Sequence, residues 1–379
     1  MANILTALEP ILFSAAQAVS AEPFGAVDAI NATFNDQGVA VGDNVKVPVA
    51  PTRAASDFTP ANVTSTGADA TASDVEVTIT KSRKVAWHLT GEQQRSLDNG
   101  ATSAEWIRQL VAQGMRTLRN EAEEDCVRAI YTGAGRAVGT AGTNPFASAI
   151  NPLVDLRKVL RDNGAPTGDL QFVMDTTSEA NLLKLGLVNK ADESGSDAER
   201  RAGIVGRQYG FAMRQSAGIE LHVKGAGAGY DANGELAAGL TTLALDGGIV
   251  NTTGIKSGDV VTFAGDTTKY VVNTGTTAVA GNIVIGNPGL AAVTATGTEL
   301  TIGASYTPNM GFDRNAVVGI MRPPLMPANP TISQTLISDQ FGMTYLMLDI
   351  AQYGQRTWEL HLAWGFKAIQ GEHIAILMG

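Results

Sequence analysis

Four histidines, His88, His222, His361 and His373, are the residues of this chain best suited to proton transfer or metal ligation near neutral pH. Glu359 and His361 stand two apart and share a face if the segment is a strand, and Glu372 adjoins His373. Such pairs could open a metal site, but a closed site needs three or four ligands at a set spacing. The sequence has no HExxH, no His-x-Glu with CxxC, and no other carboxylate–histidine set of recognisable spacing. These groups read as polar edges of strands. Gly225, Gly227 and Gly229 invite a phosphate-loop reading, yet they match neither GxGxxG nor GxxxxGK[ST], and no helical pattern follows them. They read as a flexible hinge. Gly133-Ala134-Gly135 comes after a helical pattern, the wrong side for a dinucleotide site. The only cysteine, Cys126, cannot form an intrachain disulfide, has no nucleophile motif around it, and falls on an apolar helical stripe as a buried residue. Asp192, Glu193, Asp197 and Glu199 are diluted by Ser, Gly and Arg200-Arg201 and lack EF-hand spacing. No catalytic residue, cofactor site or metal ligand is assigned, and an enzyme is the least favoured class.

Composition points elsewhere. Hydrophobic residues make up 44% of the 379 and charged residues 17%, below the usual quarter. A low-charge surface suits large subunit interfaces, whose cores are depleted of charge. A Gly- and Ala-rich exported β-protein is the other reading. With a net charge of -10 and no basic tail, the chain can lie beside nucleic acid but is not built to grip it. Ile11 to Ala21 ends like a signal-peptide cleavage site, but the first basic residue is Lys46, so no basic n-region precedes it. We read an amphipathic helix followed by an extended arm, made in the cytoplasm. No apolar run reaches the 18–20 residues of a membrane span.

The elements that would position these residues follow in order. Val45, Val47 and Val49 alternate with polar residues. After a polar stretch the alternation resumes at Val75, Val77 and Ile79 and continues on the same parity to Val85, Trp87 and Leu89. Fifteen residues at 3.3 Å each span roughly 50 Å, so a long two-stranded ribbon reaching a neighbour is expected. Lys81 and Arg83 on its apolar face, with Trp87, are the candidate intersubunit contacts. A helix over 103–132 keeps a 3.6-residue stripe through Ile107, Leu110, Val111, Gly114, Leu118, Ala122, Cys126 and Ile130, with Arg119 and Glu123 on other faces. Shorter helices are expected near 151–161 and 178–187, and strands at 170–174, around Phe211 and Met213, and at 316–321. The C-terminus reads as a meander of strands at 343–350, 356–369 and 374–378, its apolar face covered by the long helix.

Residues 226–307 differ from their surroundings: they are rich in Gly, Thr, Val and Ala, with short β-branched runs between turns. At their centre Thr252-Thr253-Gly254-Ile255-Lys256-Ser257-Gly258-Asp259 is followed by Phe263-Ala264-Gly265. This segment resembles the TTG-x-K-x-GD stretch in the insertion domain of podovirus coat proteins. The order of parts along nearly the whole chain resembles the Hong Kong 97-type major capsid proteins of tailed phages. Thr253, Gly254, Lys256, Gly258, Asp259, Phe263 and Gly265 carry the local match.

The resemblance implies an α+β fold. It has an N-terminal helix and arm (1–44), an extended β-hairpin loop (45–90) and a peripheral domain with a spine helix (91–168 and 336–379). An axial domain (169–225 and 308–335) and an inserted small β-barrel-like domain (226–307) complete it. It further implies a coat protein that self-assembles into pentamers and hexamers of an icosahedral bacteriophage head, the virion capsid, built in the host cytoplasm around double-stranded DNA bound without sequence specificity. A separate scaffolding protein, a portal and decoration proteins are the partners so implied; no cofactor and no membrane are. The insert is expected to stabilise the host fold and touch neighbouring capsomers. An encapsulin-like nanocompartment stays open as an alternative, and a β-rich surface or adhesion protein as a further one.

Overall fold

A computed structural model describes residues 14–16, 25–34, 38–49, 55, 73–99, 103–185, 206–249, 253–327, 332–338 and 343–379. Most of the expected N-terminal helix, the outer part of the ribbon and the acidic loop at 191–201 lie outside the described residues. The fold is mixed α+β and mostly β. Its first part contains β1 (Asn31–Phe34), β2 (Asn44–Val49), β3 (Ser73–Thr78), β4 (Lys81–Thr90), α1 (Gly91–Asn99), α2 (Ser103–Thr132), β5 (Arg136–Gly139), α3 (Asn151–Asp162), β6 (Leu170–Met174) and α4 (Thr176–Lys184). Then come β7 (Arg207–Gln208), β8 (Phe211–Gln215), β9 (Tyr230–Ala232), β10 (Thr242–Asp246), β11 (Val260–Phe263), β12 (Lys269–Thr274), β13 (Gly281–Ile285) and β14 (Glu299–Ile302). The chain ends with β15 (Pro308–Asp313), β16 (Val317–Arg322), β17 (Ile332–Ser338), β18 (Thr344–Gln352), β19 (Gln355–Ala368) and β20 (Ile374–Met378).

Helix α2 has the bounds its apolar stripe predicts and, at 30 residues, runs about 45 Å. Val111, Met115, Leu118, Ala122, Cys126 and Ile130 are buried with Trp358, Leu360, Leu362 and Trp364 of β19, so the helix does cover the C-terminal sheet. Two polar residues of α2 depart from the expectation. Arg119 and Glu123 are buried as well, because the segment at 25–30 lies over that side of the helix. Glu123 accepts from the backbone N–H of Ala26 (2.5 Å) and Val27 (2.9 Å) and from Ser216 Oγ (2.7 Å), while Arg119 pairs with Asp28 at 3.2 Å.

The sheet beneath runs β1-β16-β19-β18-β17, with β4 on the other edge of β19. β4 is therefore a strand of this sheet and not part of the ribbon. Among the described strands β2 and β3 pair only with each other, and the chain then turns at Ile79-Thr80 so that β4 enters the sheet, Lys81 opposite Trp364 and Thr90 opposite Gln355. The expected division into peripheral and axial parts also does not follow the sheets. β16 belongs with β19, whereas β20 leaves the meander and pairs with β15 and, in parallel, with β5 in a second sheet. Strand β17 had no clear alternating pattern and was not expected.

Within that second sheet, β11-β14-β9-β10-β13-β12 are antiparallel neighbours, and β12 pairs back to β11. The ring is closed, a six-stranded barrel without a free edge among these strands. Tyr230, Leu243, Leu245, Val261, Phe263, Tyr270 and Ile283 are among the side chains that fill it. Lys269 and Tyr270 of β12 also pair with Ala137 and Arg136 of β5, joining barrel and host. Arg136 donates to the Gly289 carbonyl at 2.6 Å and lies 4.8 Å from the Tyr270 ring centroid; burial pulls its pKa down.

Candidate functional site

Two places where the host meets the long helix gather the residues singled out in the sequence. At the first, β4 crosses α2. Lys81 Nζ lies 2.8 Å from Asp125 and 3.7 Å from Glu121, and Arg83 Nε lies 2.9 Å from Glu121. Both cations thus have partners within the chain, because β4 is a sheet strand beside the helix rather than part of a free ribbon. Arg83 is 55% exposed and Lys81 37%, so each pair contributes roughly 0.2–1 kcal/mol. Asp125 also accepts from Trp364 Nε1 at 2.8 Å. Trp87, half-buried and opposite Trp358, packs over Gly114. A Cβ at Gly114 would lie 3.3 Å from the Trp87 ring. That contact accounts for a residue that costs about 1 kcal/mol in a helix interior.

The second place is the junction between barrel and host, and the Thr253–Gly265 segment builds it. Lys256-Ser257-Gly258-Asp259 is a tight turn closed by the Asp259 N–H on the Lys256 carbonyl at 3.2 Å, with Gly258 at φ +92°. The turn is stitched to β12 through Gly258 N–H to Val272 O at 2.7 Å. It turns the Asp259 carboxylate inward, where it is 1% exposed. There it accepts from His222 Nε2 (2.8 Å), the Lys256 N–H (2.8 Å) and the Gly225 N–H (3.0 and 3.1 Å to its two oxygens). A carboxylate only accepts, so the His222 proton sits on Nε2.

Aromatic rings seal this pair. The Tyr131 ring of α2 lies 5.6 Å and that of Tyr306 5.3 Å from His222, and the Tyr306 hydroxyl donates to the Gly258 carbonyl at 2.6 Å. Burial raises the pKa of both phenols. The remaining motif residues fix the same crossing. Thr253 Oγ1 accepts from Ala226 N–H (3.1 Å), the Gly254 carbonyl accepts from Gly227 N–H (2.8 Å), and Lys256 Nζ reaches the Val223 carbonyl (3.3 Å). Phe263 lies inside the barrel against Tyr270, and Gly265 turns the chain after β11. The expected flexible hinge at Gly225–Gly229 is instead a close backbone crossing: a Cβ on Gly225 would lie 2.1 Å from the Gly254 carbonyl oxygen.

The sequence alone assigns no role to His222, Tyr131, Tyr306 or Glu123. Their partners are distant in the chain, so no local spacing marks them. Of the other chemistry-bearing groups, Glu359 bonds both His361 (3.0 Å) and Lys84 (2.8 Å). Cys126 is fully buried, and its thiol is pushed well up by burial. Among the described residues no group of three His, Cys, Asp or Glu side chains could hold a metal, and no helix is long and apolar enough to cross a membrane.

No family model and no curated protein matches the chain. Among solved structures it is similar to the capsid of the cyanophage P-SCSP1u, at 12% identity and TM-score 0.49, over 92% of this chain and 86% of that chain. It is similar to the mature capsid of bacteriophage PhiM1 at 9% identity and TM-score 0.47, over 92% and 85%. It is also similar to a chain from Mycobacterium phage Che8 at 11% identity and TM-score 0.45, over 89% and 85%.

Proposed function

We propose that this chain is the major capsid protein of a tailed phage, with a Hong Kong 97-type fold in which 226–307 is an inserted domain and α2 the spine helix. The observation that carries the reading is how the elements stack. An N-terminal segment is clipped to a 30-residue helix, that helix lies on a C-terminal sheet, and a two-stranded ribbon leaves the same sheet pairing with nothing else among the described strands. The ribbon is anchored at its base, where Val77 is buried with Val318, Ile320 and Ala363 and Val45 and Val47 pack alongside; two strands alone are marginal in water, so such a ribbon suits a subunit whose neighbours supply further contacts. Closed shells need contacts that form rings and contacts that join rings. Exposed apolar side chains at separated places, Tyr353, Leu325, Val41 and Ile249 among them, fit several such faces.

In this reading Lys81 and Arg83 sit at the root of the ribbon, with Trp87 farther along β4. The exposed ion pairs of Lys81 and Arg83 are the ones that can exchange Glu121 and Asp125 of the same chain for acids of a neighbour on assembly. The test is negative-stain microscopy of the purified, untagged protein. Closed shells are expected, and monomers or open sheets would overturn the reading. Nuclease-protected double-stranded DNA inside shells made in the host separates a capsid from a compartment, which would hold protein cargo.

A further inference from the structure

A cavity of about 370 Å³ opens between the N-terminal segment at Val27–Ala32, strand β8 and the short turn Arg314–Ala316. Two guanidinium groups line it, those of Arg214 and Arg314. Each is fixed through its Nε: Arg214 Nε donates to Gln171 Oε1 at 3.1 Å, and Arg314 Nε donates to the Ile30 carbonyl at 3.3 Å. Arg314 Nη1 stands 3.9 Å from Asp169, too far for a hydrogen bond. A guanidinium anchored at Nε presents its two terminal nitrogens as a fork, the geometry that matches two oxygens of one anion. Asn31 Nδ2 donates to Asn315 Oδ1 at 3.2 Å on the same wall, so the Asn315 amide nitrogen is a further donor there.

Charge around the cavity favours an anion. The one acid among its described lining residues, Asp28, is answered from inside the molecule by the fully buried Arg119 at 3.2 Å. Asp169 lies between Arg207 (3.8 Å) and Arg314 (3.9 Å), so two arginines share one exposed carboxylate, with Arg214 close by through Gln171, which itself donates to Asp169 at 2.6 Å. The patch is basic in a chain of net charge -10.

We propose that this cavity is a phosphate-binding site, in which one phosphate group is held by the forks of Arg214 and Arg314 with the Asn315 amide as a neutral donor. One wall is the segment clipped to α2, so an occupied site also fastens that segment to β8 and the Arg314–Ala316 turn. The inference is independent of whether the chain assembles, since binding is measured on the purified protein in either state.

The probe is inorganic phosphate, titrated calorimetrically into phosphate-free protein and compared with sodium chloride at matched ionic strength. Saturable binding is expected, together with slower proteolysis near residues 25–34. Arg214→Gln and Arg314→Gln should each weaken binding at least tenfold with unchanged circular dichroism. Arg108→Gln, whose side chain pairs with Glu105 and lines no part of the cavity, should stay within threefold. If either glutamine variant fails to fold, Arg314→Lys, which keeps the charge and loses the fork, should weaken binding severalfold. A phosphate response equal to that of chloride, or one unchanged by the Arg214 and Arg314 substitutions, overturns the proposal. Oligonucleotides identify the source of the group. Preference for a 5′-phosphorylated strand over its unphosphorylated twin assigns the site to a nucleic-acid terminus, equal tight binding assigns it to the backbone, and binding of phosphate alone assigns it to the free ion.

Discussion

Helix α2 is gripped twice, and the two grips differ in kind. Near its middle, β4 meets it through Lys81, Arg83, Glu121 and Asp125, a network of partly exposed ion pairs with long side chains. Near its end, the barrel meets it through Tyr131, packed on a turn whose buried carboxylate has a donor from each of three residues. Exposed pairs are weak, screened by salt and open to exchange. A buried acceptor with every donor in place is costly to disturb, because each donor left alone bears its full desolvation penalty. The first grip can therefore change partners without unfolding anything, whereas the second fixes one geometry.

The sharpest way to break this contrast is Asp259→Ala. It strands His222 Nε2 and the N–H groups of Gly225 and Lys256, and should cost about 3–5 kcal/mol, read as a large fall in the calorimetric midpoint that added salt does not reverse. Asp259→Asn keeps the shape and part of the bonding and should cost less. Next comes Gly258→Ala, which combines a positive φ with a Cβ only 2.6 Å from the Tyr131 ring. A loss of about 2–3 kcal/mol is expected, part of it recovered when Tyr131→Ala is added. Smaller again is the double reversal Lys81→Glu with Arg83→Glu, which should destabilise by about 1–2 kcal/mol at low salt and by clearly less at 1 M salt. An equal salt response at Asp259 and at Lys81 and Arg83 would erase the distinction.

The smallest effect is a pH response on the β4 side. Burial lowers the pKa of His361 from its ordinary 6.5. Burial alone would raise Glu359 above its ordinary 4.5, but hydrogen bonds from Lys84 and His361 outweigh it and bring the group below that value. Both groups therefore bind more protons in the unfolded chain than in the folded one, and stability rises with pH across both ranges. The His361 contribution, complete above pH 6.5, is lost as pH falls through its folded value. Glu359 follows below pH 4.5. His361→Gln should flatten the fall in melting temperature between pH 7 and 5; an unchanged slope would show that this site does not carry it.

What could be read from sequence was set by how locally each feature is encoded. The stripe from Ile107 to Ile130 defines α2 because every contact it implies lies on one helix face. The turn that splits the ribbon was hidden, since alternation continues through Ile79 and Lys81 and neither Gly nor Pro marks the bend. The composition of 226–307 announced strands and turns, but closure of the barrel depends on β11 meeting β12 and β14 together, which no short window contains. The motif was visible as Lys-x-Gly-Asp. Its purpose was not, because Asp259 is defined by His222, which lies 37 positions away. Arg119 and Glu123 were placed on the wrong side of burial for a related reason: the segment covering them enters from nearly a hundred positions upstream.

His222 and Tyr306 exchange backbone hydrogen bonds at 2.9 and 3.2 Å, so the way into the barrel and the way out are adjacent. In an open chain, joining these ends means closing a loop of roughly 80 residues, an entropic cost of about 4 kcal/mol before any constant. A barrel that has already formed from its own neighbouring strands removes most of that search. It holds the end of β8 and the start of β15 at hand, and β15 must find β6 and β20 to complete the second sheet. The barrel thus acts as a splint for the folding of the host, shortening a detour of roughly 80 residues to a step between two adjoining residues.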